Sequence, residues 1–197
     1  MRDEWFIRGD VPMTKSEVRA VSVSKLELTP ESVLLDIGAG TGSVSIEAIL
    51  TTPVKKVYAF EKNGGAIELL EQNRKKADIS GKRLVVIQGT VPDSLCNHMA
   101  GMAFVEEPAT HAFIGGTSGS METVINTLLD YNPYMRVVIN VIALETLAQA
   151  TELLNKKQID ADIVSVQVSR AKKAGRYHLM QGQNPVYVIS FGGKDGD

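Results

Sequence analysis

Apolar positions along this chain fall into short runs separated by longer amphipathic stretches. The runs Val33–Ile37, Val57–Phe60, Leu84–Gln88, His111–Ile114, Arg136–Val141, Ile163–Val168 and Val186–Phe191 have the length and β-branched content of buried strands. Helical spacing marks Ala66–Ala77, Met121–Leu129 and Leu144–Lys157, and Val44–Leu50 opens a helix after the first run. Such a rhythm predicts βαβ units and a parallel sheet. The stretch joining the last two runs lacks helical periodicity, so a hairpin fits there better than a crossover. The expected fold is α/β, a Rossmann-like doubly wound seven-stranded sheet, mostly parallel with one antiparallel strand.

Residues 1–30 precede the sheet and read as an N-terminal helical cap. Thr14-Lys15-Ser16-Glu17 has the form of a capping box, which predicts a helix from about Lys15 to Leu26 with Thr14 at its N-cap. At the other end, 192–197 cannot bury anything and reads as a frayed, flexible tail. No repeat or low-complexity linker divides the chain. It is therefore expected to form a single domain over 1–197.

Composition adds constraints. The net charge of −2 supplies no global positive field for nucleic acid or an anionic membrane, so neither is an expected partner. A single cysteine, Cys96, excludes an intrachain disulfide and suits a reducing, cytoplasmic setting. The N-terminus carries no apolar signal segment, and no stretch of about 18 apolar residues occurs. His98, His111 and His178 are isolated in sequence, so no metal-ligand spacing is present.

The strongest chemical signal is Asp36-Ile37-Gly38-Ala39-Gly40-Thr41-Gly42, placed between the first strand and the first sheet helix. Alternate glycines let a backbone turn approach a ligand without a Cβ in the way. Glu61 ends the second strand 19 residues beyond Gly42, where nucleotide-binding α/β folds place the carboxylate that grips ribose hydroxyls. A dinucleotide fingerprint would need Gly or Ala at the sixth position from Gly38, and Ser43 stands there. The pattern acid-x-Gly-x-Gly-x-Gly instead resembles motif I of the class I S-adenosylmethionine-dependent methyltransferases, which implies S-adenosylmethionine as methyl donor.

A narrower resemblance spans nearly the whole chain. Asp3 to Lys15, Phe113-Ile114-Gly115-Gly116 and Asn184-Pro185-Val186-Tyr187 together resemble the decarboxylating (cobalt-)precorrin C(15)-methyltransferases of corrin biosynthesis. That resemblance implies methylation of carbon 15 of precorrin-6B or its cobalt form, coupled to CO2 loss from the ring C acetate. It also implies a homotetramer. His111 departs from the acidic residue expected before Phe113, at the strand end remote from the chemistry.

For the cofactor, the resemblance and the turn together select Thr14, Asp36, Gly38, Ala39, Gly40, Thr41, Gly42 and Glu61, with Gly89 and Thr90 beside the adenine. A tetrapyrrole bearing many carboxylates asks for cations around a broad cleft. Arg8 in the cap, with Lys15 and Arg19 near it, and Arg170 and Arg176 in the basic hairpin are the candidates. Gly115 and Gly116 would permit close approach of the flat macrocycle, and Asn140 at the end of the fifth strand could also contact it. No general acid or base is singled out, because alignment and exclusion of water suffice for transfer to an electron-rich carbon. The competing readings are a transfer-RNA methyltransferase of the same fold and a non-catalytic S-adenosylmethionine-binding protein.

Overall fold

Along the first strand, Val33, Leu35 and Ile37 pack into one buried cluster while Leu34 packs into another, so the strand is covered on both faces. That double burial is what a parallel sheet between two helical layers requires. The computed structural model describes residues 1–101, 106–117 and 119–193. Its strands are β1 (Val33–Ile37), β2 (Lys56–Glu61), β3 (Leu84–Gln88), β4 (His111–Ile114), β5 (Arg136–Val141), β6 (Asp162–Val166), β7 (Ser169–Ala174), β8 (Tyr177–Gly182) and β9 (Val186–Phe191). Seven of them form one sheet in the order β3-β2-β1-β4-β5-β9-β6, in which β9 runs antiparallel to both neighbours and the other pairs are parallel. This is the Rossmann-like sheet of class I methyltransferases expected from the pattern.

The helices are α1 (Ser16–Lys25), α2 (Ser43–Thr51), α3 (Gly64–Lys76), α4 (Asp93–Met99), α5 (Met121–Tyr131) and α6 (Leu144–Lys156). Leu95, Val124, Ile125, Leu128, Ala150 and Leu154 from α4, α5 and α6 cover one face of the sheet. Val18 and Val23 of α1, Val44 and Ile46 of α2 and Leu70 of α3 cover the other. No helix among the described residues is long and apolar enough to cross a membrane. Strand order reverses between β1 and β4, which opens a crevice at the carboxyl edge of the sheet.

Three details depart from the sequence reading. Lys15, not Thr14, is the N-cap of α1 and no side chain caps it, because Glu17 turns outward to Ser16 and Arg170. The link between β6 and β9 is a separate two-stranded ribbon, β7 with β8, whose twelve residues are all exposed. Without a buried face it has no apolar alternation to betray it. The short helix α4 was likewise not anticipated. The frayed tail expected over 192–197 lies outside the described residues from 194 onward.

Candidate active site

The carboxyl ends of β1, β2, β4 and β5 open into a cavity of about 640 Å3. The glycine turn forms its floor. Gly38 and Ala39 donate their N–H groups to the Phe60 carbonyl at 2.9 and 3.0 Å, which ties the turn to β2. Gly38 adopts φ +75°, and a Cβ there would sit 2.7 Å from the Gly116 carbonyl oxygen. Only glycine allows the loops after β1 and β4 to meet so closely. Gly42 serves a different purpose: a Cβ would strike Leu70 of α3 at 2.7 Å, so its constraint is packing beneath the turn.

Glu61 is fixed by the backbone. Its Oε2 accepts from the Gly40 N–H at 2.8 Å, and its Oε1 accepts from Lys62 and Asn63 at 2.8 and 2.9 Å. With Oε1 holding two donors and Oε2 one, Oε2 keeps capacity for a further donor from the cavity. Asp36 is fully buried beside it. Its Oδ2 accepts from the Ser45 amide and hydroxyl, while Oδ1 has no partner among the described residues. Burial pushes the Asp36 carboxyl up to about 6, and the nearby Glu61 charge adds to the rise against the lowering effect of the Ser45 hydrogen bonds.

The cap closes the cavity from above. A strap, Asp10 to Lys15, lies over the turn, with the Pro12 carbonyl 3.2 Å from where a Gly40 Cβ would stand. Two buried side chains pin it. Asn73 of α3 accepts from the Ile7 N–H at 2.7 Å and donates to the Ile7 and Thr41 carbonyls at 2.8 and 3.1 Å. Arg19 of α1, fully buried, donates to the Thr14 carbonyl at 2.6 Å, pairs with Asp3 and Glu47, and lies 4.8 Å from the Phe6 ring centroid. A buried guanidinium needs such partners, because an unpaired one would be prohibitively desolvated.

Most of the expected residues converge here. Thr14, Asp36, Gly38, Ala39, Gly40, Glu61, Gly89, Thr90, Gly115, Gly116 and Asn140 all line the cavity. Thr41 and Gly42 do not, since both are buried under the turn. Arg8 lines an adjoining recess of about 380 Å3 beside the strap. Arg170 is engaged by both oxygens of Glu17 at 2.7 and 2.6 Å, and Arg176 stacks on Tyr177 at the ribbon tip, so neither arginine reaches the wall. Ser118, in the glycine-rich loop after β4, lies outside the described residues. Sequence reasoning missed the apolar part of the wall, including Val11, Met13, Phe113, Ile142 and Val166. Arg19, grouped with Arg8 and Lys15 among the cap cations for substrate carboxylates, proves instead to be a core residue, since the distant Asp3 and Glu47 are its partners. Glu107 is half-buried against Lys55 and Lys56.

The site's chemistry suits a hydroxyl-bearing organic cation. Asp10, Asp36 and Glu61 supply negative charge, a glycine cradle supplies room, and the orphaned Asp36 Oδ1 awaits a positive or donor group. No group of three or more His, Cys, Asp or Glu side chains among the described residues could hold a metal ion.

Comparison with known proteins accords with this geometry. The precorrin methyltransferase domain profile matches residues 4–191. A probable cobalt-precorrin-6B C(15)-methyltransferase (decarboxylating) of Pyrobaculum calidifontis is 36% identical over 191 residues, covering 95% of this chain and 93% of that one. A cobalt-precorrin-6B C(15)-methyltransferase (decarboxylating) of Salmonella typhi is 37% identical over 193 residues, covering 96% and 94%. The solved structure of a precorrin-6y C5,15-methyltransferase from Geobacter metallireducens superposes with TM-score 0.84 at 30% identity, over 98% of this chain and 96% of that chain. The chain belongs to the precorrin methyltransferase family.

Proposed function

We propose that this protein uses S-adenosylmethionine to methylate carbon 15 of precorrin-6B or its cobalt form and releases the ring C acetate carboxyl as CO2. The observation that carries the reading is the pairing of a cationic-ligand cradle, Asp36 with Gly38, Gly40 and Glu61, with family membership over residues 4–191. When bound, the cofactor supplies an electrophilic methyl group, and loss of CO2 returns the electron pair that the new carbon–carbon bond consumes.

The protein's own residues then have four tasks. Glu61, pre-oriented by three backbone donors, accepts from a ribose hydroxyl at Oε2 without reorganising. Asp36 keeps a carboxylate oxygen ready for positive charge. Gly89, Thr90 and Val91 form the wall for the adenine, and Thr14 lies where the strap meets the amino-acid end. Val11, Met13, Phe113 and Ile142 exclude water from the reacting centre, while Gly115, Gly116 and Asn140 bound the face on which the macrocycle lies. Because the electron count closes without a net proton, no strong base is needed.

The protein is also read as a cytoplasmic homo-oligomer, in keeping with the tetramer that the family resemblance implies. The β7–β8 ribbon supports this reading, for it exposes Tyr177, Leu179 and Met180 by 59%, 61% and 68%. The RNA-methylating and non-catalytic readings have no comparable support. The test is to titrate S-adenosylmethionine by calorimetry, then supply methyl-labelled cofactor with precorrin-6B or with transfer RNA. Label in the tetrapyrrole is expected, whereas label in RNA alone, or no cofactor affinity, contradicts the proposal.

A further inference from the structure

The cavity wall poses an electrostatic problem for a polycarboxylate. Among the described residues its charged side chains are Asp10, Asp36 and Glu61 against Lys15 and Lys62, and Lys62 adjoins Glu61 on the cofactor side. Macrocycle carboxylates must therefore find cations beyond the acidic floor. The arginines nearest the mouth are committed. Arg19 is buried against Asp3 and Glu47, and Arg170 is held by Glu17. Arg176 lies at the far end of the ribbon, where strand β7 turns into β8.

Lys15 is placed differently. It lines the main cavity and the adjoining recess at once, and it makes no ion pair among the described residues. Across that recess stands Arg8, exposed and likewise without an ion pair among them. The strap between the two residues is pinned by Asn73 at Ile7 and by Arg19 at Thr14, so the spacing of the cations is set by the fold. Among the described residues Asp10 is the one acid on the recess wall, which leaves their balance positive.

We propose that Arg8 and Lys15 form a carboxylate subsite, in which a substrate lying over the main cavity extends an acidic side chain across the strap into the recess. The inference rests on the tetrapyrrole reading above and adds to it the place where one peripheral carboxylate is gripped. Guanidinium and ammonium together take a carboxylate through charge-assisted hydrogen bonds, and the half-buried Lys15 gives the contact more strength than a solvated pair. The subsite would fix the rotation of the macrocycle over the cofactor, and so which ring carbon is presented.

The experiment compares wild type, Arg8→Gln/Lys15→Gln and Arg8→Lys/Lys15→Arg. Each is titrated with an octacarboxylate porphyrin and with its neutral octamethyl ester by fluorescence quenching, and with S-adenosylmethionine by calorimetry. The glutamine pair is expected to bind the octacarboxylate about tenfold more weakly, a typical loss for a charge-assisted contact. Ester and cofactor affinities should stay within about twofold, and the charge-conserving pair should recover most of the binding. Equal octacarboxylate affinity in wild type and the glutamine pair overturns the subsite and leaves the tetrapyrrole reading standing. A matched loss of cofactor affinity assigns the cations to the cofactor and overturns it too. No octacarboxylate binding by wild type overturns the subsite together with the reading beneath it.

Discussion

Asp36 and His111 share adjacent strands yet respond to pH in opposite senses. The Asp36 carboxyl titrates near 6 instead of 3.8, so the folded state holds its proton more tightly than the unfolded chain does. Its contribution is fully present below 3.8 and lost as pH rises through about 6. Burial, with the Arg136 charge as a lesser cause, lowers His111 from 6.5 to about 4, so its contribution is present above 6.5 and lost as pH falls through about 4. Between pH 7.5 and 4.5, Asp36→Asn should forfeit about 2 kcal/mol of acid stabilisation and His111→Gln should spare a similar loss. Urea midpoints at the two pH values check both signs. Gly38→Ala is a sharper perturbation, because its Cβ would meet Gly116 backbone at 2.7 Å with φ at +75°. Calorimetry should show cofactor affinity reduced at least about tenfold, with a stability cost of about 1–3 kcal/mol. These positions were legible in sequence because each is marked by a local pattern, an acid before alternate glycines or the start of an apolar run, even though the contacts that fix them are remote. Arg19 was not, since nothing local distinguishes a cation that meets Glu47 of α2 in the core from one that faces solvent.

The cap is an element whose position is set by side chains far apart in sequence. Arg19 joins α1 to α2, and Asn73 joins the strap to the turn, so the strap follows the sheet instead of floating over it. Arg19→Met should destabilise the protein by about 3–5 kcal/mol, because Asp3 would be left buried without its cation and Glu47 would keep only the Met1 ammonium. The lone tryptophan, Trp5, packs edge-on against Phe6 at 5.0 Å, and its emission should move to longer wavelength as the cap loosens. Loss of cofactor affinity should accompany that shift. The helix of the cap was readable from its pattern, but its start was not. The sequence Thr14-Lys15-Ser16-Glu17 satisfies the capping-box rule, yet the Thr14 carbonyl is claimed by Arg19 and Glu17 by Arg170. Tertiary partners displaced a local motif. Between the last two runs a hairpin was expected, but the strands of ribbon β7–β8 were not assigned, for a different reason: period-two patterning records burial, and this pair of strands buries neither face.

For the molecule as a whole, the sheet order and the cavity at its carboxyl edge follow from seven apolar runs and one reversed strand. What the runs do not encode are the ribbon's two exposed faces, with Leu179 opposite Lys172 on one and Met180 opposite Ala171 on the other. Light scattering should find an oligomer for the wild type. Replacing Tyr177, Leu179 and Met180 together by Ser should shift it toward the monomer while cofactor binding persists, since none of the three lines the cavity. A monomeric wild type would remove the ribbon from the interface. The most direct test of the central claim is the ratio of CO2 released to methyl transferred, with precorrin-6B as substrate and doubly labelled reactants. One CO2 per methyl is expected, with both products falling together in Gly38→Ala; methylation without CO2, or CO2 release that proceeds without the methyl donor, would contradict it.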